Sequence, residues 1–224
     1  MANYSRIDVC LKINETGLVP LFYHKNSEIM KNVLKACYDG GARIFEFTNR
    51  GDFAHEVFAD VVKFANAELP GMILGVGSIE DAATAAIYIL SGANFIVSPI
   101  LNPEMAKICN RKKIAWMPGC GSLTEIAYAE ELGAEVVKIF PAMQVGGPAF
   151  IKNIKAPRKW TNIMPTGGVD ATVENLKSWF DAGAYCVGMG SKLITKDLVS
   201  AGDWNGITTN VKNVLEIIKS VRSK

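Results

Sequence analysis

Short apolar runs rich in β-branched residues alternate along this chain with longer segments whose apolar positions recur every three or four residues. Such alternation predicts strand followed by helix from end to end. An opening amphipathic stretch with Ile7, Cys10, Leu11 and Ile13 reads as an extra N-terminal helix. The first strand is Leu18-Val19-Pro20-Leu21-Phe22, and Ile29, Val33, Leu34, Cys37 and Tyr38 mark one face of the helix after it. Next come a strand Arg43-Ile44-Phe45-Glu46-Phe47-Thr48 and a helix through Val57, Phe58, Val61, Val62 and Phe64. Further strands are expected from Met72 to Val76, Phe95 to Ser98, Ile114 to Met117, Val136 to Phe140, Ile163 to Pro165 and Tyr185 to Met189. The helices between and after them run from Ala82 to Leu90, Pro103 to Lys112, Ala149 to Ile154, Val173 to Phe180 and Thr208 to Val221. One more opens at Ser122-Leu123-Thr124-Glu125, a capping-box pattern in which each polar side chain can satisfy a free backbone N–H.

Strict alternation implies parallel strands, because parallel neighbours need a helical crossover rather than a tight turn. About eight such units in this length predict an α/β fold, a (β/α)8 TIM barrel filling residues 1–224 as one domain. An open doubly wound sheet is the alternative.

Composition narrows the partners. Of 224 residues 49% are apolar and 21% charged, enough for a large core. A formal charge of +2 gives no electrostatic footprint for nucleic acid or an anionic membrane. Any bound anion must then be held by a local site. The five cysteines are scattered without a Cys-x-x-Cys pair, which argues against a disulfide framework or thiolate zinc site. Neither a signal-peptide pattern nor an apolar run of membrane-spanning length is visible, so the expected location is the cytoplasm.

In a barrel, side chains at the C-terminal ends of strands face the mouth. Lys138 is a lone cation in the apolar strand Val136-Val137-Lys138-Ile139-Phe140-Pro141. It can snorkel, pair with an acid, or act as a nucleophile. Glu46, Thr48 and Arg50 share one parity, so all three point to one face of the second strand. A carboxylate and a guanidinium there are costly unless paired or functional. A desolvated amine favours its neutral form and attacks a ketone. The resulting iminium withdraws electrons, so an adjacent carbon–carbon bond can break. Glu46 would then take the proton from the departing hydroxyl, and Arg50 offers a planar fork for the carboxylate of a 2-keto acid.

Two glycine-rich segments, Pro165-Thr166-Gly167-Gly168 and Gly188-Met189-Gly190-Ser191, follow the seventh and eighth strands, the usual phosphate site of such barrels. Ser78, in Gly75-Val76-Gly77-Ser78, either binds a substrate carboxylate or caps a helix. Pro99 and Phe140 would wall the pocket. His24 and His55 stand isolated, and neither a metal site nor a cofactor is expected.

Taken in order, these segments resemble the 2-keto-3-deoxy-6-phosphogluconate (KDPG) and 2-keto-4-hydroxyglutarate (KHG) aldolase family. The resemblance runs from about Leu18 to Leu193 and is carried by Phe45-Glu46-Phe47-Thr48-Asn49-Arg50, Gly75-Val76-Gly77-Ser78, Val97-Ser98-Pro99, Met117-Pro118-Gly119, Lys138-Ile139-Phe140-Pro141-Ala142 and Pro165-Thr166-Gly167-Gly168-Val169. It implies a metal-independent class I aldolase that releases pyruvate and glyceraldehyde 3-phosphate, or glyoxylate from hydroxyoxoglutarate. The Schiff base falls on Lys138 and the acid–base role on Glu46. Arg50 and Ser78 take the pyruvate carboxylate, while Pro99 and Phe140 pack against substrate. Thr166, Gly167, Gly168, Gly190 and Ser191 fall at the phosphate end. The resemblance also implies a homotrimer. This chain departs from the pattern at Asn49, usually a larger apolar residue, and at Gly51, usually Thr. Both stand beside the base and leave substrate preference open. A phosphogalactonate isomer is an alternative substrate, and a non-catalytic phosphate-binding barrel is the alternative of another class.

Overall fold

The computed structural model describes residues 2–223; Met1 and Lys224, the ends of the expected domain, lie outside the described residues. A helix α1 (Arg6–Thr16) opens the chain, with Ser5 and Asp8 forming a reciprocal capping box and Gly17 closing it at φ +68°. Strands and helices then alternate: β1 (Leu18–Phe22), α2 (Ser27–Asp39), β2 (Ile44–Thr48), α3 (Ala54–Glu68), β3 (Ile73–Gly77), α4 (Ala82–Leu90), β4 (Phe95–Val97) and α5 (Pro103–Lys112). The second half runs β5 (Ala115–Met117), β6 (Gly119–Cys120), α6 (Leu123–Glu131), β7 (Val137–Ile139), α7 (Gly147–Lys155), β8 (Ile163–Pro165), α8 (Val173–Asp181) and β9 (Val187–Met189). Two helices end it, α9 (Lys196–Ala201), which the apolar pattern did not reveal, and α10 (Trp204–Arg222).

All strand pairs are parallel, in a six-stranded sheet ordered β5-β4-β3-β2-β1-β9 and a three-stranded sheet ordered β6-β7-β8. A parallel bridge between Thr166 and Gly188 joins the second sheet to β9. The expected fifth strand, Ile114 to Met117, is found as β5, and beyond Pro118, which has no N–H to offer a ladder, the chain resumes as the unexpected short strand β6. The Pro118 carbonyl still accepts a hydrogen bond from the Lys138 amide at 3.0 Å.

Alternation of side chains along the strands separates two cores. The outer one packs Phe45, Phe47, Val76, Trp116, Ile139 and Val187 against the helices. The inner one gathers Val19, Ile44, Ile73, Phe95, Met117, Val136, Met164 and Cys186 from strands of both sheets, with Val9 and Ile13 of α1 packed beneath. Phe95 fills the middle so closely that a Cβ on Gly75 would lie 2.3 Å from its ring. The strand ends next to α1 are thus plugged with apolar side chains, and polar ones gather at the opposite, C-terminal ends.

The helix ends correct two expectations. Ser122 does accept from the Glu125 amide, but the Glu125 carboxylate returns the bond to the Gly121 amide, one residue before the cap. Asp81, rather than Ser78, caps α4, accepting from Thr84 at 2.8 Å. Ser78 is instead held at φ +60°, in the left-handed region.

Candidate active site

Lys138 is the middle residue of β7, on the inward parity of Val136 in the inner core. Its register partners are Gly119 and Met164. Only 6% of it is exposed, and its Nζ lies 3.9 Å from Oε1 of Glu46, on the opposite sheet. That separation exceeds hydrogen-bond length, so the amine is near the carboxylate without being locked to it. The Phe140 ring stands 5.2 Å from the same nitrogen.

Glu46 is 1% exposed, and its second oxygen has no hydrogen-bond partner among the described residues. Burial raises its pKa above the usual carboxylate value, a shift opposed by the nearby charges of Lys138 and Arg50. A buried carboxyl with no hydrogen bond is expensive to keep unless something else binds there. Gly77 makes its space. Thr48 and Gly77 are register partners on β2 and β3, and a Cβ at position 77 would lie 1.8 Å from the Glu46 oxygen. Nothing local to Gly77 signals this role, because it depends on a neighbour thirty-one residues away in the chain.

Arg50 leaves the end of β2 exposed at the mouth, and its Nε reaches the Ser78 hydroxyl at 3.5 Å. Asn49 does not face the base. Its side-chain oxygen accepts from the Tyr88 hydroxyl at 2.8 Å, turning it toward α4 and the outer core.

A cleft of about 770 Å³ opens at these strand ends. Of the residues singled out from sequence, Arg50, Phe140, Thr166, Gly167, Gly168, Gly190 and Ser191 line it, together with Thr48. Lys138 and Glu46 are not on that wall; they sit just inside the strand ends that form it. Ser78 and Pro99 are half-buried and off the wall too, and the Pro99 carbonyl lies where a Cβ on Gly119 would be, 2.2 Å away. Gly167 and Gly168 have φ of +94° and +83°, so their bare backbone forms the cleft wall in a conformation other residues avoid. Three further features escaped the sequence reading. Tyr23 and His24, directly after β1, line the cleft, as does the exposed pair of Lys192 and Asp170, 3.5 Å apart. For Tyr23 and His24 the available clue was their position one and two residues past an apolar strand.

Among the described residues no three His, Cys, Asp or Glu side chains are placed to hold a metal ion. Among the same residues no helix is long and apolar enough to cross a membrane.

Known proteins with this pattern follow from the comparison of whole chains. The 2-dehydro-3-deoxy-phosphogluconate aldolase of Pseudoalteromonas atlantica is 33% identical over 198 residues, covering 88% of this chain and 89% of its own. The enzyme of the same description from Haemophilus influenzae is 29% identical over 97% of this chain and all of its own length. Among solved structures, the 2-keto-3-deoxy-6-phosphogluconate aldolase of Zymomonas mobilis with 3-phosphoglycerate superposes with a TM-score of 0.78 at 25% identity, covering 94% of this chain and 96% of its own. The profile of the KDPG and KHG aldolases matches residues 9–210, and with it the chain belongs to the KDPG and KHG aldolase family.

Proposed function

We propose that Lys138 is the Schiff-base lysine of a class I aldolase and Glu46 its acid–base partner. The reading rests on one observation: a buried amine 3.9 Å from a buried carboxyl that has an oxygen to spare. The Lys138 amine adds to the C2 ketone of the substrate, water leaves, and an iminium remains. Glu46 takes the proton of the C4 hydroxyl, the C3–C4 bond breaks, and an aldehyde departs while the electron pair moves into the iminium to give an enamine. Protonation at C3 and hydrolysis then release pyruvate and restore the lysine. Because the iminium accepts the electron pair, the route needs no metal.

Arg50, supported by the Ser78 hydroxyl, is placed for the keto-acid carboxylate. The bare backbone at Gly167 and Gly168, with Thr166, Gly190 and Ser191, supports a phosphate at the other end of the cleft. The 3-phosphoglycerate held by the Zymomonas relative agrees with that. The substrate is therefore 2-dehydro-3-deoxy-6-phosphogluconate, cleaved to pyruvate and glyceraldehyde 3-phosphate, with 4-hydroxy-2-oxoglutarate using the pyruvate half alone.

Three broader readings go with this one. The two sheets complete a (β/α)8 barrel of one domain, a closure supported by the Thr166–Gly188 bridge and by β5 and β6 running on through Pro118. The working form is a homotrimer, as the family resemblance implies. The location is cytoplasmic, in keeping with five unpaired cysteines, four of them buried.

Pyruvate with borohydride should leave a reduced adduct on the Lys138 peptide, and Lys138→Ala should remove both adduct and turnover. Labelling of another lysine instead would overturn the assignment.

A further inference from the structure

The sheet order decides what lies between the two ends of the cleft. β2 leads to Arg50, β9 leads to Gly190 and Ser191, and β1 runs between them. Leu21 and Phe22 are level with Glu46 and Phe47, so Tyr23 is level with Thr48, two residues nearer the mouth than the base. Its ring meets Phe47 edge-on at 5.5 Å and borders the cleft. Its hydroxyl occupies the space over Gly51, where a Cβ would lie 2.6 Å from it. Any side chain at position 51 would push that hydroxyl aside. The Tyr88 hydroxyl, on another ring touching Phe47, is committed to Asn49. No hydrogen bond among the described residues uses the Tyr23 hydroxyl.

We propose that Tyr23 is a specificity-determining residue whose hydroxyl bonds the C5 hydroxyl of the sugar acid, the group between the reacting carbons and the phosphate. The proposal rests on the functional reading above and deepens it. A phosphorylated six-carbon acid carries a hydroxyl at that carbon, whereas hydroxyoxoglutarate carries a carboxylate there. Gly51, one of the two departures from the family pattern, is what leaves room for the phenol. Asn49, the other, holds β2 to α4 and does not select substrate.

The test runs the reaction toward condensation. Pyruvate is offered glyceraldehyde 3-phosphate or 3-oxopropyl phosphate, which lacks only the hydroxyl in question. Wild type should favour the hydroxylated aldehyde in kcat/KM by about fivefold or more, the worth of one neutral hydrogen bond. Tyr23→Phe, which keeps the ring, should bring the ratio close to one. An unchanged ratio in Tyr23→Phe, or no preference in wild type, overturns the proposal. Borohydride trapping of pyruvate on wild type separates the two readings. With the adduct present, an unchanged ratio refutes the role of Tyr23 alone; with no adduct, the Schiff base falls and this proposal with it.

Discussion

The substitution Gly77→Ala puts the position of Glu46 to the test without touching either reacting side chain. The new Cβ would begin 1.8 Å from the Glu46 oxygen, where real Cβ contacts are essentially never under 3.0 Å. Since Gly77 is held in the β3 ladder opposite Thr48, the carboxylate is the part free to yield. It must retreat by about 1.2 Å, and a misplacement of about 1 Å at a reacting group costs on the order of 100-fold in rate. That corresponds to about 2.7 kcal/mol of barrier. Pyruvate release, followed through lactate dehydrogenase, should show kcat down by that order, while pyruvate and borohydride still label Lys138. In a Glu46→Ala background the same change should cost less than about threefold, because the displaced group is already gone. A Gly77→Ala enzyme with wild-type kcat, or an equal loss in both backgrounds, would refute the reasoning.

Two further outcomes follow from the same geometry. Burial raises the pKa of Glu46, so the folded state holds that proton more tightly than the unfolded chain does, and stability is lost as pH climbs from the ordinary value of 4.5 through the raised one. Glu46→Gln should therefore match wild type in Tm at pH below 4 and gain on it steadily above, and a gap that stays constant across that range would contradict the shift. Gly168→Ala strains a φ of +83° and sets its Cβ 2.5 Å from that of Met143, so the KM for a phosphorylated substrate should rise about tenfold while that for 4-hydroxy-2-oxoglutarate holds. Equal effects on both substrates would remove the phosphate from this end of the cleft.

Much of this architecture was readable from the chain because its signals are local. Strand and helix order followed from apolar periodicity, and the parity of Glu46, Thr48 and Arg50 followed from the pleat, which has a period of two whatever surrounds it. Lys138 stood out as a charge among Val136, Val137, Ile139 and Phe140. The break at Pro118, the short helix α9 and the cap at Asp81 were harder, since each depends on backbone hydrogen bonds that periodicity does not encode.

Local order along the chain was enough to show which residue types could do the chemistry and which strand carries each. Their relations came from packing in three dimensions: the 3.9 Å from amine to carboxyl, the space that Gly77 provides, the turning of Asn49 toward Tyr88, and the seat of Tyr23 over Gly51. The reason is physical. Secondary structure answers to neighbours a few residues away, whereas a catalytic distance is set by the register of strands far apart in sequence and by the side chains packed between them.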